Sequence, residues 1–460
     1  RTGIRSLMRT HKYGNATTAD LWIALGAASK KDVSALAKAW TEQPGFPLVS
    51  VTSACDAAGN RTVTLAQKRF LLDGTTDAAN TRWNVPVALA SGAAAPAYVM
   101  LTGAQQNGIP AGRCGEPLRA NAGGAGYYRV AYDAPAFEAN RAAFASLPDP
   151  DKIVMLGDQW NLVRIGAAPL PSYLALANAM GANRNTRAWQ EIVGALAELE
   201  HDTRGTVQHD TFAAYARGVV APLVASLGWD ERPGETVAAG QLRGSAIGAL
   251  ATFGDPAILA EARARFDRMV APVPPTAQAP KIASELRSLL IGIVATNADA
   301  ATFDRLHELA QSTKDPVLAA SYRSALMRVR DPKLAARALD IAMSSEVPPQ
   351  QASSRLRYVE AASDWNPKLA WPFFQAHSDV LTKRFSLFEK MLGLSNSVPT
   401  IFWDATTPDQ LEGWLKANLP PRASEYIAKG MSRARTDGAI RERLREDVRA
   451  FLASGSPPKP

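Results

Sequence analysis

Gly126-Tyr-Tyr-Arg-Val-Ala-Tyr-Asp133, running into Ala134-Pro135, is the stretch at which the pattern of this chain changes. Successive side chains of an extended strand face opposite ways, so Tyr128, Val130 and Tyr132 share one face while Tyr127 and Arg129 share the other. Aromatic residues in that setting pack a core or a sheet edge, and these are assigned structural roles. The preceding Gly123-Gly-Ala-Gly126 leads into a strand, not into a helix N-terminus, and predicts a sharp turn before Tyr127. Before this stretch the chain reads as short strands. After Pro135 almost everything has the spacing of helices.

Working outward, Leu48-Val-Ser-Val-Thr-Ser53 and Arg61-Thr-Val-Thr-Leu-Ala-Gln-Lys-Arg-Phe70 are β-branched, apolar runs separated by the turn chemistry of Asp56-Ala-Ala-Gly-Asn60. Further runs at Trp83–Leu89, Tyr98–Leu101 and Tyr127–Tyr132 predict a small β-sandwich over residues 46–134. Residues 1–45 are helical in pattern. Asn15-Ala-Thr-Thr18 offers caps before Asp20-Leu-Trp22, Lys31–Trp40 places Val33, Leu36, Ala37 and Trp40 on one stripe, and Pro44-Gly45 stops the helix.

In residues 135–460, Asp255-Pro256, Asp315-Pro316, Asp331-Pro332 and Asn366-Pro367 are each followed closely by Leu-Ala. Asp or Asn caps the first free amides of a helix, and proline suits its first position because the missing N–H would be unpaired there. The middle two copies are one helix plus a turn apart, which fits stacked helix pairs of a HEAT-like or armadillo-like superhelical domain. Asp-Pro is also a common helix start in its own right, so the helical reading holds with or without a regular solenoid. The fold class is thus mainly α with a small all-β domain.

With 460 residues, 47% of them hydrophobic and 20% charged, the chain predicts roughly two to four globular domains. No apolar run approaches the roughly 18 residues of a membrane span, so no transmembrane segment is expected. The net charge of +8 is dispersed and mixed in sign, as in Arg441-Glu-Arg-Leu-Arg-Glu-Asp-Val-Arg449, which reads as a solvated helical face with local pairs. Without aromatic-interleaved basic stretches, nucleic acid is not an expected partner. The two cysteines, Cys55 and Cys114, leave open either free thiols or one disulfide.

Catalytic signatures are missing. A zinc exopeptidase needs two histidines one helical turn apart with a glutamate between them, because that spacing aims both imidazoles at one ion. The chain has five histidines and no such pair; His307-Glu-Leu-Ala-Gln311 comes nearest, with an amide in place of the second imidazole. His307-Glu308 reads as an exposed polar pair on a helix flank. His201-Asp202 and His209-Asp210, around Thr203-Arg-Gly-Thr206, read as loop decoration. There is no Gly-x-Ser-x-Gly elbow, phosphate loop or dinucleotide fingerprint. No catalytic, cofactor-binding or metal-binding residue is assigned.

Gly126–Asp133 and Trp40-Thr-Glu-Gln-Pro-Gly-Phe-Pro47 nevertheless resemble signatures of the alanyl-aminopeptidase family of gluzincin zinc exopeptidases. His11–Ala16 with Asp20-Leu-Trp22 resembles the last helices of that family's thermolysin-like catalytic domain. Asn121-Ala-Gly with the tyrosine strand is similar to the closing strand of its β-sandwich, with Ala131 in place of the usual asparagine. Asp158-Gln-Trp-Asn-Leu-Val-Arg164, Leu174–Leu176 and Trp189 look like the beginning of its C-terminal helical domain, and Leu369–Phe374 and Thr407–Leu415 like its late helices.

The resemblance implies that zinc, its ligands and the exopeptidase motif belong to preceding domains, so no cofactor is expected within residues 1–460. It implies a non-catalytic C-terminal portion of a zinc metalloaminopeptidase, one that caps the active-site cavity and restricts or orients peptide substrates, with the upstream catalytic domain as its partner. The opening helix from Arg1 lacks the apolar core of a secretion signal, and targeting information is expected upstream. A Cys55–Cys114 disulfide would favour a periplasmic or cell-envelope location. The rival reading is a stand-alone helical-repeat module that binds peptide or protein without peptidase activity.

Overall fold

A computed structural model of the chain describes residues 1–271, 284–348, 351 and 354–455. The chain divides into two compact units, Arg1–Ala195 and Leu196–Pro460. In the first, α1 (Thr2–Thr10), α2 (Thr18–Ser29) and α3 (Val33–Thr41) come before the strands β1 (Pro47–Cys55), β2 (Asn60–Arg69), β3 (Val85–Ser91), β4 (Ala97–Leu101), β5 (Gln105–Arg113), β6 (Leu118–Arg119) and β7 (Arg129–Tyr132). Then come α4 (Ala134–Ala143), α5 (Asp149–Arg164) and α6 (Leu170–Asn178). The capping read at Thr17 is a full capping box, in which Thr17 accepts from the Asp20 amide and Asp20 accepts from the Thr17 amide.

The strands form two sheets, in the orders β5-β2-β1-β7 and β4-β3-β6. β7 joins β1 in parallel, with Val130 beside Val49, and β1 and β2 are antiparallel. β5 was not read from the sequence, because Gly108, Pro110 and Gly112 within it look like loop residues. Its place at a sheet edge explains them, since an edge strand needs only one row of hydrogen bonds and tolerates proline. Between the sheets, Val49, Val51, Val63, Leu65, Trp83 and Val87 are buried with Tyr128 and Val130. Tyr128 donates to the Ala120 carbonyl and Tyr132 accepts from the Ala120 amide, both at 2.8 Å, which gives each buried ring a partner for its hydroxyl. Tyr127, on the other face, is exposed. Cys55 and Cys114 form a disulfide.

A buried carboxylate fastens β7 to α5. Asp158 accepts from the Val130 amide at 2.9 Å and pairs with Arg129 Nη1 at 3.2 Å. Arg129 in turn lies over the rings of Phe46 and Phe70. Both contacts favour the ionised form, but near-complete burial outweighs them and pushes the Asp158 carboxyl up to about 7.

The second unit holds the end of α7 (Thr186–Thr203) and then α8 (His209–Leu227), α9 (Val237–Thr252), α10 (Pro256–Val270), α11 (Ser284–Thr296), α12 (Ala300–Ser312), α13 (Pro316–Leu326) and α14 (Pro332–Met343). It closes with α15 (Ser354–Ser363), α16 (Pro367–Leu381), α17 (Leu387–Ile401), α18 (Pro408–Asn418) and α19 (Ser424–Ala453). A β-sandwich followed by helices is therefore the architecture, as read. Neighbours in the chain pack together, as in α8 with α9, α10 with α11, α12 with α13 and α15 with α16. Asp255, Asp315 and Asp331 each accept from two amides of the following first turn, as the Asp-Pro reading requires. Asn366 does not cap; its side chain donates to the Val329 carbonyl at 3.0 Å.

α19 crosses α17 at glycines. Pro399 has no N–H, so the Ser395 carbonyl four residues before it has no helical partner, and Gly430 comes against that oxygen. A Cβ at Gly430 would lie 1.8 Å from it, and one at Gly438 would lie 2.4 Å from the Trp403 ring. Gly430→Ala is expected to cost about 1–3 kcal/mol through forced separation of the helices. Gly244→Ala, in α9 with open space around the added methyl, is expected to gain up to about 1 kcal/mol from helix propensity. Urea denaturation of both variants checks the opposite signs.

Asp158 yields a pH dependence whose sign is fixed. An unfolded aspartate titrates near 3.9. Between about pH 4 and 7 the native state therefore holds a proton that the unfolded state has lost, and stability falls as pH rises through that window. Asp158→Asn is expected to flatten this slope, read from denaturation midpoints at pH 4.5 and 7.5.

Candidate functional site

A set of interacting charged side chains in the second unit lies where helices end. Arg204 immediately follows α7, Arg330 lies between α13 and α14, Asp364 and Trp365 between α15 and α16, and Asp404 between α17 and α18. The last turn of a helix leaves its final carbonyls without intrahelical partners and carries a partial negative charge, so cations and donors are favoured there. The arginines meet that need. Arg330 donates its backbone N–H to Thr296 at the end of α11 and its Nη2 to Thr252 at the end of α9. Arg204 Nη1 donates to both the carbonyl and the carboxylate of Asp364.

Trp365 is sandwiched between two guanidiniums, with Arg204 at 3.6 Å and Arg330 at 4.0 Å from its ring centre. Each contact with an aromatic face is worth on the order of 1 kcal/mol in a partly desolvated setting. Burial pushes the Arg330 guanidinium down, with Glu200 opposing that shift. Glu200 is fully buried and accepts from Arg204 Nη2 on Oε2 at 3.0 Å and from Nε on Oε1 at 3.2 Å, with His209 Nε2 2.9 Å from Oε1. Its desolvation is offset only because these groups surround it.

Two expectations from the sequence are corrected here. His201, Asp202 and His209 do not decorate a loop: the first two lie in the last turn of α7, His209 begins α8, and Asp202 is buried. Arg441–Arg449 is only partly a solvated face. Arg445 pairs with Glu442 and Arg449 with Glu446 as local spacing predicts, but Arg441 Nε also reaches Asp202 at 3.0 Å and Arg445 Nε donates to the Asp202 carbonyl at 2.5 Å. Arg441 bonds Asp404 as well. A signal was present. The buried stripe of α19 runs through Ile427, Met431, Ala434 and Gly438 to Leu444, Val448 and Phe451, and Arg441 occupies the core-facing turn between Gly438 and Leu444.

Every carboxylate of this hub has a cationic partner, and among the described residues no hydroxyl or thiol is paired with a base there. The arrangement orders helix ends and presents an arginine–tryptophan surface; it supplies no nucleophile. His307 is likewise not a free flank residue, since its Nε2 lies 2.7 Å from Glu346 Oε2 and 3.2 Å from Gln311 Nε2, while Glu308 is exposed and pairs with Arg305. With an amide where a second imidazole would be needed, these residues do not fit a catalytic zinc. Among the described residues no group of three or more His, Cys, Asp or Glu could hold a metal ion.

A family model described as the ERAP1-like C-terminal domain matches residues 118–436. The chain belongs to that family. It is 26% identical over 404 residues to puromycin-sensitive aminopeptidase of Caenorhabditis elegans, covering 85% of this chain and 42% of that protein. It is 26% identical over 401 residues to aminopeptidase M1 of Arabidopsis thaliana, covering 81% and 43%. With glutamyl aminopeptidase of Homo sapiens the figures are 25% over 416 residues, 85% and 41%. The resemblance to alanyl-type aminopeptidases read from the tyrosine strand is therefore upheld, and the chain spans about two fifths of the length of these relatives.

The hub makes Glu200 the residue whose loss is most disruptive there. Glu200→Ala would leave Arg204 without its bidentate partner in a desolvated position and is expected to cost about 3 kcal/mol. Chemical denaturation followed by Trp365 and neighbouring tryptophans checks this, with His209→Ala expected to cost less than half as much.

Proposed function

We propose that this chain is the non-catalytic C-terminal portion of a zinc metalloaminopeptidase that removes N-terminal residues from peptides, and that it caps the active-site cavity and restricts or orients peptides there. The observation that carries the reading is the match of an aminopeptidase C-terminal domain to residues 118–436, joined to relatives that are themselves named aminopeptidases. In this reading residues 1–45 are the closing helices of the catalytic domain, 46–134 the β-sandwich domain and 135–460 the helical domain. The zinc and the glutamate that activates its water belong to the upstream catalytic domain, which is the chain's partner.

The Cys55–Cys114 disulfide supports an oxidising compartment, such as a periplasm or cell envelope, because such bonds persist where thiols are not kept reduced.

The purified 460 residues are expected to show no turnover of an aminoacyl anilide at any zinc concentration, and equilibrium dialysis is expected to find no tightly held zinc. Zinc-dependent turnover by this polypeptide alone would defeat the proposal. The coding sequence upstream of Arg1 gives the second check: a His-Glu-x-x-His helix is expected there.

A further inference from the structure

A strand at the end of a sheet leaves a row of amides and carbonyls open to pairing with another chain. Folded proteins guard such rows with charge, proline, bulges or a covering element. The two sheets of the sandwich end on β5, β7, β4 and β6, and three of these edges are guarded. β5 carries Pro110 and two register shifts against β2. Asn140 takes the amide and carbonyl of Leu118 on β6, and Asp158 takes the Val130 amide on β7.

β4 has none of these devices. It pairs with β3 in unbroken register, from Val85 beside Leu101 to Leu89 beside Ala97. Its sequence, Ala-Tyr-Val-Met-Leu, holds no charge and no proline, and no charged residue occurs between Arg82 and Arg113. Among the described residues, Tyr98, Val99 and Met100 make no backbone hydrogen bond beyond the ladder with β3. Alternation turns Val99 and Leu101 to the core and Tyr98 and Met100 outward, where they are 75% and 45% exposed. Ala88, opposite Tyr98 on β3, is buried with Ala90 and Ala122, so the exposed apolar strip runs along β4. Tyrosine and methionine are enriched, and charge is depleted, at the buried centres of protein interfaces.

We infer that β4 is a dimerisation edge, at which two copies of this chain join antiparallel with the two-fold axis at Val99. In that register Tyr98 of each copy stands opposite Met100 of the other, ring against thioether, on the outer face of the sheet. An antiparallel pair centred on one residue pairs the outward row of amides and carbonyls whichever alternate positions of β4 face away from β3. This self-complementarity selects a second copy over an unrelated strand. Each chain offers one such edge, so the contact is isologous and closes at two copies, merging two three-stranded sheets into one of six strands. The inference is separate from the peptidase reading, which gives β4 no role.

Sedimentation equilibrium of the full chain tests it, with two double variants at exposed positions that leave the sandwich core untouched. One is Tyr98→Lys with Met100→Lys, the other Tyr98→Glu with Met100→Glu. A contact this small predicts a reversible wild-type dimer with a dissociation constant of roughly 10–100 μM. Each variant sets like charges opposite one another across the axis and is expected to weaken the dimer by about tenfold or more. An equimolar mixture of the two is expected to recover association to within about threefold of wild type, because lysine then faces glutamate. A wild-type chain still monomeric at about 200 μM, above the range expected of so small a contact, would overturn the inference. So would assembly beyond two copies, or a dimer that both variants leave intact, since the interface would then lie elsewhere. Two variants that are monomeric alone and stay so when mixed would overturn the antiparallel register.

Discussion

The second unit depends on satisfying helix C-termini. A helix that ends inside a protein leaves its last carbonyls unpaired, and α7, α9, α11, α13, α15 and α17 all end on residues linked through Arg204, Arg330 and Arg441. The donors come from other helices or from the turns that join them. Arg330 serves the ends of α9 and α11, Asn366 the residues after α13, Arg204 those after α15, Ser363 the last residue of α17, and Arg445 the end of α7. Arginine suits the task because one planar head donates in several directions and stacks on Trp365 at the same time. This capping across helices leaves the buried helix ends paired while the apolar clusters supply the main burial.

That logic decides what could be read before the fold was known. Local devices were legible: the Thr17 capping box and the Asp-Pro starts at Asp255, Asp315 and Asp331 act within a few residues of themselves, and the inward side of the tyrosine stretch followed from strand alternation alone. The hub was not, because its pairs join residues far apart in the chain, as Arg445 does with Asp202 and Arg204 with Asp364. Asn366 shows the difference within one residue. Its position before proline marks a helix start correctly, yet its side chain leaves the cap to serve another helix. β5 escaped notice for the opposite reason, since its glycines and proline obey the rules of a sheet edge that only the pairing of β1 and β2 creates.

In the first unit the same economy appears at the β-to-α switch. Asn140 of α4 brackets the amide and carbonyl of Leu118, Asp151 of α5 takes the Gly123 amide and Arg119, and Asp158 takes the Val130 amide. β6 and β7 are too short to be fixed by ladder bonds alone. Buried polar side chains from the two following helices complete them, so these strands are specified jointly by the sheet and by what comes after it.

The span matched by the family model begins inside this jointly specified segment. The matched span starts at Leu118, the residue held on both sides by Asn140, rather than at the end of the sandwich. A unit that keeps β6 and β7 with α4 and α5 keeps their hydrogen bonds. A cut at Asp133 would instead leave Asp158, Asp151 and Asn140 facing nothing, each a buried polar group whose exposure to an apolar setting costs on the order of 1–3 kcal/mol. The matched span ends at Thr436, before Arg441, so the grip of α19 on α17 at Gly430 lies inside it while the arginines that reach back to Asp202 follow it. Beyond Thr436 the helix still buries Ile440, Leu444, Val448 and Phe451, so its apolar stripe and the arginines that reach Asp202 share the same turns.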